Sequence, residues 1–92
     1  MQETIRVEAP DLRSAIRLVE QAATTYETEL IPLQRDAWEV RVGNRDGRSI
    51  SFADVLALVD RWLDAADVPT TTVHLDGHLY TLNRRVGVAS TV

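Results

Sequence analysis

The chain contains no cysteine, and that one absence removes disulfides, thiolate nucleophiles, cysteine-ligated zinc and iron–sulfur clusters together. Lysine is missing too. All ten basic residues are arginine, a bias that reads as a high-GC bacterial coding preference rather than as chemistry. No apolar run approaches the roughly 18–20 residues of a membrane span. The opening residues, MQETIRVEAP, lack the basic and apolar regions of a secretory signal. A cytoplasmic location is the expectation. Acidic residues outnumber basic ones 14 to 10, for a net charge of -4, which disfavours non-specific attraction to nucleic acid or anionic lipid. Neither nucleic acid nor membrane is expected as a partner.

What is present suffices for one core: 92 residues, 45% of them hydrophobic, form a single domain. Its strongest stretch is a helix over residues 51–66, with Ser51 placed as N-cap over Asp54. Phe52, Val55, Leu56, Val59 and Leu63 recur at spacings of three and four and define one stripe, while Leu58 and Trp62 fall on its shoulder. A first helix runs from Pro10 or Asp11 to Ala23, with Leu12, Ala15, Ile16, Val19 and Ala23 as its stripe and Leu18 on the shoulder. Its apolar positions 12, 15, 16, 18, 19, 22 and 23 recur, shifted by forty, at 52, 55, 56, 58, 59, 62 and 63. That repeat predicts two similar strand–helix–strand halves.

Strands follow from alternation. Residues 4–8 alternate about Ile5 and Val7, residues 26–33 place Glu27, Glu29 and Ile31 on one face, and residues 37–42 place Trp38, Val40 and Val42 opposite Glu39 and Arg41. Residues 70–75 and 78–82 flank Asp76-Gly77, a strong hairpin signal that sets Leu75 opposite His78 and Val73 opposite Tyr80. The predicted fold is α+β: a ferredoxin-like βαββαβ sandwich with two helices on one face of an antiparallel sheet, and an extra C-terminal hairpin strand. The domain spans residues 1–82, and 83–92 are expected to be a flexible tail.

The sheet's open face should carry Arg6, Glu8, Glu27, Glu29, Glu39, Arg41, Thr72 and His74. It has no stacking aromatics of the RNA-recognition kind. The loop holding Gly43, Arg45, Gly47, Arg48, Ser49 and Ser51 leads into a helix N-terminus and is the candidate anion-binding site. It is not a P-loop, since three residues separate its glycines and Arg48 stands where that motif needs Lys. His74, Asp76 and His78 spell HxDxH, but across a two-residue turn the histidines lie on opposite faces of the ribbon. No metal, cofactor or catalytic constellation is expected. Leu18, Leu58 and Trp62 are the candidate interface.

Glu8-Ala9-Pro10-Asp11-Leu12, with Ile16 after it, resembles the first strand–helix turn of ACT domains, although Asp11 stands where those domains carry glycine. That resemblance implies a small-molecule-binding regulatory domain. The segment from Trp38 through Trp62-Leu63 to residues 73–82 resembles short uncharacterised actinobacterial proteins, which implies no activity. The leading expectation is a non-enzymatic protein-interaction module, homodimeric or bound to another protein, using a sheet edge or the apolar shoulder. The ACT-like regulatory domain is the alternative.

Overall fold

The computed structural model describes residues 4–44, 51–75 and 77–84. Its elements run β1 Thr4–Ala9, α1 Leu12–Ala22, β2 Glu27–Pro32, β3 Trp38–Gly43, α2 Phe52–Ala65, β4 Thr70–Leu75 and β5 His78–Asn83. The architecture is α+β, with five antiparallel strands in the order β2-β3-β1-β4-β5 and two helices.

Each strand's two faces follow the alternation of its residues. In β1, Ile5, Val7 and Ala9 are buried while Arg6 and Glu8 turn the other way. Ile5 sits across from Val42 and Val7 across from Val40, so apolar residues meet apolar residues along the centre of the sheet. The turn between β2 and β3 closes through Leu33 N–H to the Ala37 carbonyl at 2.9 Å, with Arg35 in the left-handed region at φ 63°. Gly77 takes φ 78° between β4 and β5, the conformation a tight hairpin demands of glycine. Leu75 pairs with His78 and Val73 with Tyr80, as the hairpin register predicts.

Both helices start at side-chain caps. Asp11 accepts from Ser14 N–H at 2.8 Å and Ser51 from Asp54 N–H at 3.3 Å, so the caps repeat with the same offset of forty as the helical pattern. Helix α2 stops where Asp67 enters the left-handed region at φ 58° and Val68 N–H returns to the Leu63 carbonyl at 2.9 Å, a terminus of the Schellman kind.

The helical faces depart from the expected stripes. In α1 the buried residues are Ser14, Ala15, Leu18 and Ala22, while Leu12 and Ile16 are each 42% exposed. The buried arc is turned by roughly a quarter of the helix circumference. In α2, Val55, Leu58, Val59, Trp62 and Leu63 are buried, and Phe52 and Leu56 are half-buried. The helices lie side by side and share one core with the inward faces of the strands. Each therefore buries the flank that meets its neighbour as well as the side that meets the sheet. Trp62 reaches α1 through its indole bond to the Ser14 carbonyl, and the expected interface shoulder is interior: Leu18 and Trp62 are fully buried and Leu58 is 8% exposed.

The expected tail begins too early. Asn83 belongs to β5, and Arg84 N–H donates to the Pro69 carbonyl at 2.8 Å while its guanidinium pairs with Asp64 and Asp67. The remaining residues, 85–92, lie outside the described part.

Candidate functional site

Three surfaces have some claim to function: the charged face of the sheet, the ends of the helices, and the outer edge of β5. The charged face carries the predicted residues. Glu8 stands directly across from Glu39, and Arg6 across from both Arg41 and His74. Like charges set opposite each other are destabilising unless each finds a counter-charge elsewhere. Glu39, with its side chain 9% exposed, accepts from Arg41 Nε at 2.8 Å, and Glu29 lies 4.0 Å from the same guanidinium. The Glu8 carboxylate is bonded to His74 Nε2 at 2.9 Å. The bond to Glu39, and the charges of Glu39 and Glu29, raise the Arg41 pKa. Glu39, Glu29 and Arg41 are engaged with one another and Glu8 with His74, a surface lattice rather than a converging site. The depression of about 250 Å³ beside Glu8 is lined by Ala37 and Thr70, Thr71 and Thr72 but does not take in His74.

At the helix ends, Pro10, Asp11, Ser14, Arg17 and Ala65 to Val68 line a groove of about 290 Å³. Its polar groups are largely committed. Asp11 caps α1, and the Ser14 N–H and hydroxyl that it accepts hold its carboxyl below the usual range. Arg17 donates to the Ala65 carbonyl at 3.1 Å. Of the candidate anion-binding set, Gly43 ends β3 and Ser51 caps α2, while Arg45, Gly47, Arg48 and Ser49 lie outside the described residues. His74 faces Leu79 and His78 faces Leu75 across the hairpin, which puts the two rings on opposite faces.

The third surface is the outer edge of the extra C-terminal hairpin strand that the sequence predicts, which lies at one side of the sheet. Among the described residues the sheet has two edges, β2 and β5. Edge strands present unpaired backbone groups and are commonly guarded by charge or proline. β2 is guarded in this way, carrying Glu27, Glu29 and Pro32. β5 reads His78-Leu79-Tyr80-Thr81-Leu82-Asn83, without proline and without a carboxylate, arginine or lysine. Leu79 is 65% exposed and Tyr80 40% exposed, the latter with its ring 5.1 Å from that of Phe52. Arg84, which would charge the end of this edge, is drawn instead to Asp64 and Asp67.

The hydrogen-bond phase of this edge follows from the register. Bonded and non-bonded pairs alternate along an antiparallel ladder, and Arg84 N–H donates to Pro69. Counting in twos, Leu82, Tyr80 and His78 direct their backbone groups at β4. Leu79, Thr81 and Asn83 direct theirs outward, and among the described residues no strand meets them.

Comparison with protein-family models, curated proteins and solved structures finds no match. Among the described residues, no helix is long and apolar enough to cross a membrane.

Proposed function

We propose that this chain is a non-enzymatic protein-interaction module of ferredoxin-like arrangement that assembles through the edge of β5, in the first place as a homodimer. The strand order supports the arrangement. With β5 set aside it is β2-β3-β1-β4, all neighbours antiparallel, with a helix after β1 and another after β3. The observation that carries the interaction reading is the contrast between the edges, Glu27, Glu29 and Pro32 on β2 against an uncharged, proline-free β5 with Leu79 65% exposed. A six-residue strand with outward donors and acceptors is a ready template for another strand.

The test is the solution mass by light scattering across a concentration series, for the native chain and for Thr81→Pro. Thr81 directs its N–H outward, so proline there leaves the β4 ladder intact and blocks only the free edge. The native chain is expected to dimerise with rising concentration, and Thr81→Pro to remain folded and monomeric. A native chain that stays monomeric, or a dimer indifferent to Thr81→Pro, overturns the reading.

The groove between Pro10 and Val68 favours a second reading, the ACT-like regulatory domain, because it lies at the strand–helix turn on which that resemblance rests. Thermal-shift screening against free amino acids tests it: stabilisation that grows with ligand concentration supports it, and none across the set removes it.

A further inference from the structure

We infer that the occupant of the β5 edge is a second copy of this chain, paired antiparallel with Thr81 on the two-fold axis. The inference rests on the homodimer reading above and adds the register in which the two edges pair.

A two-fold axis perpendicular to the sheet keeps the same face of both copies uppermost. Leu79, Thr81 and Asn83 must then pair with Leu79, Thr81 and Asn83, because these have the outward backbone groups and share the open face with His74. An axis at Thr81 sets Thr81 against its own copy and Leu79 against Asn83 in both directions. All three outward residues are engaged, giving roughly six hydrogen bonds between copies. An axis at Tyr80 engages only Leu79 with Thr81 within the strands, since Gly77 at φ 78° has already left the extended region. That register yields roughly four bonds.

The side chains favour the same choice. With the axis at Thr81, Tyr80 lies opposite Leu82 of the second copy, and Leu82 opposite Tyr80, in the non-hydrogen-bonded positions where side chains approach most closely. This sets a leucine of the second copy beside Tyr80, which the single chain leaves 40% exposed. Electrostatics selects β5 over β2 as the edge at which two copies can meet. Two copies of a chain with net charge -4 repel one another overall, and β5 is the edge at which they meet without a formal charge on either strand. Self-pairing of β2 would instead bring Glu27 and Glu29 of both copies together and would lack the Pro32 donor. The product is one continuous sheet of twice the five strands seen in a single chain.

The absence of native cysteine makes single-cysteine variants clean reporters of this register. Under mild oxidation, at a concentration where light scattering finds a dimer, Thr81→Cys is expected to form the interchain disulfide about tenfold faster than Leu79→Cys or Tyr80→Cys. Only at the axis do identical residues face each other at a Cα separation near 5.5 Å, within disulfide reach. A dimer that Thr81→Pro abolishes but that crosslinks fastest at position 79 or 80 overturns the register alone. A dimer that survives Thr81→Pro and crosslinks at none of the three positions overturns the edge reading itself. A chain that is monomeric alone and dimerises only with a strand from a different protein overturns the choice of a second copy.

Discussion

The Trp62 indole N–H donates to the Ser14 carbonyl at 2.8 Å, a fully buried bond that ties the last turns of α2 to the first turn of α1 across forty-eight residues of sequence. Ser14 is at the same time the residue whose N–H and hydroxyl satisfy the Asp11 cap. Cap, helix start and core are thus joined through one serine. Trp62→Phe keeps most of the ring but loses the donor and leaves a void, with an expected loss of about 1–3 kcal/mol in urea unfolding. A loss well below that range would mean that the helices are held together by apolar contact alone.

The rotated face of α1 makes a sharper comparison. Ile16 belongs to the stripe that periodicity picks out, yet it is 42% exposed, whereas Leu18 on the shoulder is fully buried. Leu18→Ala is expected to cost about 2–4 kcal/mol and Ile16→Ala less than about 1 kcal/mol. Equal losses from the two variants, measured by denaturant midpoints at constant slope, would show the helix turned as its periodicity suggests.

Asp11 links stability to pH. Its carboxyl is held below the ordinary value of 3.8 by bonds from the Ser14 N–H and hydroxyl. A depressed folded pKa contributes stability that is fully present above the unfolded value and is lost as pH falls through the folded one. Asp11→Ala is expected to cost about 1 kcal/mol near neutral pH, with the gap to the native chain closing below pH 3.8. Asp11→Asn keeps a capping oxygen and should lose the pH dependence. A gap between native and Asp11→Ala that stays constant down to strongly acid pH would deny the cap its charge.

Arg41 answers for Glu39, which stands buried and directly opposite Glu8. Arg41→Met retains the aliphatic stem and removes the charge, and the variant is expected to unfold at a lower denaturant midpoint, by an amount moderated by the solvent around the guanidinium. Adding Glu39→Gln should recover part of it, since the unpaired carboxylate is then gone. Simple additivity of the two losses would show that the 2.8 Å contact contributes nothing to folding.

Much of the fold was legible from local pattern. Alternation about Ile5 and Val7, the Asp76-Gly77 turn and the Ser51 cap act within a few residues. They suffice to place the strands, the Leu75–His78 register and the start of α2, as well as the charged face from Arg6 to His74. The opposition of Glu8 to Glu39, and the contacts of Glu8 with His74 and of Glu39 with Arg41, needed the order of strands as well.

By itself the sequence determined the identity of each element and the two faces of each strand, because period and turn chemistry are properties of a short stretch of backbone. Only the tertiary structure decided which flank of each helix is inside and how β1, β3 and β4 pair between the two edge strands. Leu18, Leu58 and Trp62 sit on an apolar arc wider than one contact requires, and a wide arc has a period but no unique direction. The assembled core chose the direction, by taking in those three residues and leaving Leu12 and Ile16 to solvent. The exposed edge of β5 is likewise a consequence of where β1, β3 and β4 pair, a matter settled by residues far from Leu79 and Thr81 in the chain.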